Sequence, residues 1–191
     1  MTPSGVGIAM AVLVGRSVKA GPDAPPLAPL YVAGEVRRWH ANPAMAREGQ
    51  TNADHQGRCV QLLLMLNPTA SPALIRAMVF HDVGELFAGD LSSDFKRAHP
   101  AVAHAHALVE TAARERLCGV DPWLTEEERR WLKLVDRLEA SAFVIFRNPA
   151  EAMRAASGWP KALRGLVDQA TALGVGAQVS ALIDDLFGGD W

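Results

Sequence analysis

The stretch His-Asp-Val-Gly-Glu-Leu-Phe-Ala-Gly-Asp, residues 81–90, sets one histidine and three carboxylates among apolar side chains. A fold that buries Val83, Leu86 and Phe87, with Phe80 just ahead of them, takes His81, Asp82 and Glu85 inward as well. Buried carboxylates are costly unless a cation or a hydrogen-bond donor compensates them. The segment therefore restricts the chain to folds that supply such a partner here. His81 and Glu85 are four residues apart and share a helical face if a helix runs through both. A solvated helix end with acidic decoration is the alternative, and the four apolar neighbours argue against it.

The frame around this segment reads as helical. Of 191 residues, 32 are alanine and four are isoleucine, a balance that favours helix over strand. A short element is expected from about Leu30 to Trp39, ending near Asn42-Pro43. Thr51-x-x-Asp54 resembles a capping pattern for a helix running to about Leu66. Ser71 as cap and Pro72 at the first helical position open another, expected to reach about Asp82. A long helix follows Pro100 and ends at Gly119. Thr125-x-x-Glu128 is a capping box for a helix running to about Arg147. Two more helices are expected after Pro149 and Pro160, and Ala181–Trp191 reads as a final amphipathic turn or two. The fold class expected is all-α, and the length suits one domain.

Residues 1–29 read differently, as an N-terminal tail with a Pro-rich linker. The apolar run Gly5–Gly15 spans eleven residues, against about 20 for a membrane helix, and no basic region precedes it as in a secretory signal. It is expected to be a loosely held strand or a docked tail. Prolines 22, 25, 26 and 29 predict an extended linker. No membrane association is expected. A net charge of −2 and a pI near 6.3 leave no electrostatic footprint for polymeric nucleic acid. Cys59 and Cys118 form no disulfide framework; they read as packing residues and fit a reducing cytosol.

Of the other histidines, His104 and His106 lie two apart on the long alanine-rich helix, so they point to different faces and read as solvated, as does His99. His40 follows Trp39 and is placed at the edge of a site at most. The run Glu126–Arg130 reads as a helix start with favourable dipole charges.

The His81-Asp82 doublet and its surroundings resemble the HD phosphohydrolase superfamily, all-helical metal enzymes named for that pair. The resemblance implies an HD-type helical bundle over residues 30–191, with a metal site in its core. Its ligands would be a first histidine, the doublet and a distant aspartate, which match His55, His81, Asp82 and Asp136. Two imidazoles and two carboxylates suit one divalent transition metal, Co, Mn, Zn or Fe, with a second divalent ion able to arrive with substrate. Asp136 sits mid-helix beside Leu134 and Val135, an unusual place for a carboxylate without a partner.

A narrower resemblance, covering about residues 30–147, is to the YfbR-like 5′-deoxynucleotidases and equally to their phage relatives, the DatZ-type dATP triphosphohydrolases. It rests on Gly34-Glu35-Val36-Arg37-Arg38-Trp39, His55, the spacing from His81 to Asp90, and Lys96. It implies that Arg38 and Trp39, with Arg37 added, contact the nucleotide, and that Glu85 and Asp90 form the acid/base pair. The chain departs from the family at the first histidine, where Ala53-Asp54-His55-Gln56 replaces a Glu-His-Ser run, and its spacings are short.

The function implied is cleavage of the bond between O5′ and the α-phosphorus of a deoxynucleotide. The metal would act as Lewis acid. Glu85 would activate the attacking water and Asp90 would protonate O5′. Arg37 or Arg38 and Lys96 offer cations for phosphate oxygens, and Trp39 a flat face for a base. Arg37 and Arg38 are also compatible with surface charges, and Trp39 with a core aromatic. The compact spacing and paired arginines lean slightly towards a deoxynucleoside triphosphate as substrate, with a monophosphate as the alternative. A nucleotide-binding HD module without turnover and a helical interaction protein remain as other classes. The resemblance further implies a cytoplasmic homo-oligomer, a dimer or a larger ring.

Overall fold

The computed structural model describes residues 27–188. The apolar run at Gly5–Gly15 and most of the expected linker lie outside the described residues. The linker's far end is corrected, because helix α1 (Leu27–Ala33) begins before the expected boundary at Leu30. Pro29 lies in its first turn, where a missing N–H leaves no hydrogen bond unmade.

The element expected to reach Trp39 stops at Ala33. Beyond Gly34 the chain is extended and pairs with the segment ahead of α2. Arg38 N donates to Gln50 O and Asn52 N to Val36 O, both at 3.0 Å, around an isolated Arg37–Thr51 bridge. Helix α2 (Asn52–Leu66) opens on the expected capping box of Thr51 and Asp54. Helix α3 (Pro72–Phe80) is capped by Ser71, whose hydroxyl accepts from Leu74 N.

Helix α3 ends at Phe80 rather than Asp82. A turn over residues 81–84 follows, and then the one-turn helix α4 (Glu85–Ala88). His81 and Glu85 therefore do not share one helix. Ser92 caps a short helix that the sequence reading lacked, α5 (Ser93–Ala98). The long helices α6 (Pro100–Cys118) and α7 (Glu126–Arg147) follow, the first closed by Gly119 and the second opened by the Thr125–Glu128 box. Helix α8 (Pro149–Met153) and a 3-10 turn lead to α9 (Trp159–Ala172) and α10 (Gly176–Phe187). No strand occurs among the described residues, and the fold is all-α.

Helix α7 runs through the middle and packs against α2, α3, α9 and α10. Trp131, Leu134, Val135, Leu138, Val144 and Ile145 of α7 are buried in a core shared with Leu63, Met78, Leu163 and Ile183. A smaller cluster of Ala33, Val83 and Leu117 takes in Phe80, Leu86 and Phe87. The 81–84 turn is thereby fixed between two apolar clusters. At Gly84 a Cβ would meet Glu110 O at 2.3 Å, so the turn lies directly on the α6 backbone. No described helix is long and apolar enough to cross a membrane.

Candidate active site

Two helices and one turn bring the four expected ligand residues together. His55 comes from the first turn of α2, His81 and Asp82 from the turn that follows α3, and Asp136 from the middle of α7. His55 Nε2 lies 3.1 Å from His81 Nε2, 3.1 Å from Asp136 Oδ1 and 3.6 Å from Asp82 Oδ2. His81 Nε2 lies 3.4 Å from Asp82 Oδ2 and 3.7 Å from Asp136 Oδ1. Ligand atoms at about 2.1 Å from a tetrahedral ion stand about 3.4 Å from one another. These separations bracket that edge length.

Both imidazoles are oriented from behind. His81 Nδ1 is 2.8 Å from Met78 O, an acceptor, so this nitrogen carries a hydrogen. His55 Nδ1 meets the buried Glu139 carboxylate through a very short hydrogen bond. Each Nε2 then turns a lone pair towards the other, and towards carboxylate oxygens, unless a positive charge sits between them. A proton or a divalent cation supplies it, and two nitrogens with two carboxylates fit a divalent transition metal.

The electrostatics carry the same imprint. Burial disfavours charge on His81, but Asp82 and Asp136 outweigh it and lift the imidazole to about 9. Burial opposes ionisation of Asp136 too, yet hydrogen bonds from His55 and His81 hold its carboxyl well below the ordinary range. His55 is fully buried, whereas the Asp136 side chain is 39% exposed. The group opens to solvent on the Asp136 side.

Cys59 Sγ, with His55 and His81, completes another group close enough to hold an ion. Its sulfur is 3.7 Å from both nitrogens of the His55 ring, over the ring rather than in line with a lone pair. Burial, then the Asp136 and Glu139 charges, push this thiol far up. A thiol that stays protonated is a poor ligand, and the carboxylates are the better partners for the two histidines.

Beside the ligand group stand an arginine and a second carboxyl. Arg38 Nη1 donates to Asp82 Oδ2 at 2.5 Å. Burial opposes its charge, but Asp82, Asp136, Glu85 and Glu139 together raise it. Burial and then the Asp82 and Asp90 charges push the Glu85 carboxyl up to about 8, against the Asn52 hydrogen bond and Arg38. Asp90 is 4.0 Å from His40 Nδ1. Asn52 Nδ2 donates to Glu85 Oε2 at 2.9 Å and to Asp82 O at 3.2 Å. Asn52 Oδ1 and Arg38 Nε are buried without protein partners, two polar atoms at this edge that a bound ligand can satisfy.

Other expected contacts do not converge. Arg37 alternates with Arg38 along the extended segment, and its Nη1 donates to Gly49 O at 2.5 Å. Lys96 Nζ lies 3.9 Å from Glu110 Oε1. Trp39 packs on the main core, stacked with Phe143 at 6.1 Å between ring centroids, and its Nε1 donates to Gln50 Oε1 at 2.6 Å. His106, read as solvated, is corrected. Its Nε2 is 2.8 Å from Gly89 O and its Nδ1 is 3.4 Å from Glu110, so it braces the loop that carries Asp90.

The sequence reading missed Gln50, Asn52 and Glu139. Glu139 lies three residues after Asp136 and next to Leu138, an acid on a helical face that is otherwise buried. That pattern was visible. Gln50 and Asn52 flank the Thr51 cap and carried no comparable signal.

Residues 66–142 match the family described as 5′-deoxynucleotidase YfbR-like. The matched segment takes in His81, Asp82, Glu85, Asp90, Lys96 and Asp136, while Arg38, Trp39 and His55 precede it. Neither the curated proteins nor the solved structures give a match.

Proposed function

We propose that this protein is a metal-dependent hydrolase that converts a deoxynucleoside 5′-monophosphate and water into deoxynucleoside and phosphate. The observation that supports this most directly is the convergence of His55, His81, Asp82 and Asp136 on one point, beside Arg38 and Glu85. The match of residues 66–142 to a family of 5′-deoxynucleotidases points the same way.

A divalent ion held by the four ligand residues supplies Lewis-acid polarisation of the phosphoryl oxygens. Arg38 neutralises phosphate charge by hydrogen bonds that replace part of its pairing with Asp82. As water adds to phosphorus and the P–O5′ bond breaks, the water loses a proton and O5′ gains one. Glu85 and Asp90 divide these two transfers, with Glu85 held beside the ligand group by Asn52. The exposed Asp136 side is the approach for substrate.

The monophosphate is preferred over the triphosphate because the paired arginines, one of the two grounds for the triphosphate, do not act as a pair. Arg37 is engaged at Gly49 and Lys96 at Glu110. Two further phosphates would lack evident cationic partners. Assembly as a homodimer or larger ring belongs to the same reading, and sedimentation velocity of the full chain tests it.

The deciding experiment incubates the full chain with each dNMP and each dNTP in Mn²⁺ or Co²⁺ and separates the products. Inorganic phosphate from dNMPs is expected. Tripolyphosphate from dNTPs alone would move the assignment to the triphosphate, and bound nucleotide without turnover would make the protein a binding module.

A further inference from the structure

A continuous set of hydrogen bonds, buried from Gln50 inward, runs from Trp39 to His55. Trp39 Nε1 donates to Gln50 Oε1 at 2.6 Å. Gln50 Nε2 donates to Glu139 Oε1 and Oε2 at 2.8 and 3.0 Å. Glu139 Oε2 and His55 Nδ1 share a hydrogen bond. The direction is fixed at the Trp39 end by the indole, and at the other end by the metal reading, in which His55 ligates through Nε2 and so carries its hydrogen on Nδ1. An indole N–H can only donate, which turns the Gln50 carbonyl towards Trp39 and its NH₂ towards Glu139. Glu139 then receives hydrogens from both sides and acts as a carboxylate.

Three features mark this chain of bonds as more than packing. Gln50, His55 and Glu139 are each no more than 1% exposed, so every missing bond would leave a polar group stranded. Trp39 has φ 67°, a left-handed backbone that a bulky residue rarely adopts, and its indole hydrogen bond helps hold it there. Arg38, immediately before it, reaches Asp82. The segment facing the ligand group is thus tied to that group twice, at Asp82 directly and at His55 through Gln50 and Glu139.

We propose that Glu139 is a positioning residue that fixes His55 as a metal ligand, and that through Gln50 it makes the seating of Trp39 depend on metal occupancy. This rests on the metal reading given above. With Glu139 accepting at Nδ1, His55 keeps its Nε2 lone pair free for an ion. An amide at position 139 keeps one acceptor oxygen where the carboxylate has two, both of them in use. Its NH₂ would face Gln50 or His55, and facing His55 it would draw the lone pair to Nδ1 and put the hydrogen on Nε2. Carboxylate partners of ligating histidines are worth about 10- to 100-fold in metal affinity.

The test titrates Zn²⁺ into the metal-free full chain by calorimetry and by tryptophan fluorescence, with circular dichroism checking the fold. Glu139→Gln should bind Zn²⁺ about 10- to 100-fold more weakly, and Glu139→Asp, which restores the carboxylate, should recover part of that loss. Should Glu139→Gln not fold, Glu139→Asp carries the test alone through a smaller weakening in the same direction. The Trp39→Phe variant isolates the emission of Trp39 from the other indoles. A Zn²⁺-dependent change should be present in the wild type and absent from both Trp39→Phe and Gln50→Ala. Wild-type affinity in the folded Glu139 variants overturns the positioning role. A Trp39 response that survives Gln50→Ala overturns the coupling. A wild type that binds no Zn²⁺, Mn²⁺ or Co²⁺ removes the metal reading itself, a separate failure.

Discussion

A single amide nitrogen, Nδ2 of Asn52, holds the Asp82 carbonyl and the Glu85 carboxyl together. It ties Glu85, the proposed proton-transfer residue, to the turn that carries Asp82, a proposed ligand. Truncation to Ala removes both bonds and leaves Glu85 buried with one donor fewer, so its carboxyl moves away from the productive position. The expected result for Asn52→Ala is a fall in kcat of about tenfold or more, since positioned acid/base groups contribute about 10²-fold and upwards. KM for the monophosphate and the metal content should stay near wild type. Steady-state kinetics with metal analysis of the same samples checks this, and metal loss in step with activity would place the effect on the Asp82 turn instead. At this scale the resemblance to the HD superfamily led to the residues that converge, His55, His81, Asp82 and Asp136. It was a poorer guide at Arg37, Arg38 and Trp39. Arg37 and Arg38 are consecutive on extended backbone and point in opposite directions, Trp39 turns off it with φ 67°, and only the pairing with residues 50–52 determines which one meets Asp82.

Among the helices, the starts were readable because each has a local cause. Thr51, Ser71 and Thr125 cap their helices with their own hydroxyls, and no distant contact is needed to form those bonds. The end of α3 has no such local sign. It is set by the seating of Phe80 and Val83 in the small apolar cluster and by the approach of Gly84 to α6, neither of which a linear pattern contains. The start of α1 was missed because Pro29, taken as the end of a linker, is equally at home in a first helical turn. Gly84 carries the clearest prediction among these elements. A methyl group there would lie 2.3 Å from Glu110 O, a backbone atom that cannot swing aside. Gly84→Ala should therefore displace α4 from α6 and cost about 1–3 kcal/mol, the usual range for overpacking. Thermal unfolding measures the cost. Because Glu85 heads α4, activity should fall by more than the folded fraction does; a variant as stable and as active as the parent would mean that the turn tolerates more room than this packing allows.

For the whole molecule, the site is a store of like charge whose cost depends on pH and on metal. His81 is lifted to about 9 and Glu85 to about 8 in the metal-free protein, while Asp136 is held low. Glu85 keeps its proton in the folded state and loses it near pH 4.5 when unfolded, so the folded state holds the extra proton and stability declines as pH rises from there through about 8. His81 has the same sign. Its contribution is complete below about 6.5 and is lost by about 9. Asp136 has the opposite sign, and its contribution is lost only as pH falls below the usual carboxylate range. The metal-free chain should therefore be most stable in mild acid and lose melting temperature between pH 6 and 9. Metal binding should reverse this trend, because the ion takes the place of the His81 proton, which must leave at pH 6 but is already half gone at pH 9. Affinity for Zn²⁺ should rise across that interval, and the His81 proton released on binding, read by calorimetry in buffers of different ionisation enthalpy, should fall from about one at pH 6 to about one half near pH 9. Saturating metal adds about 2.7 kcal/mol of stability at a hundred times Kd, so the melting curves with and without Zn²⁺ should diverge as pH increases. Curves that run parallel from pH 6 to 9 would mean that the charge between the two Nε2 atoms is not shared between proton and metal.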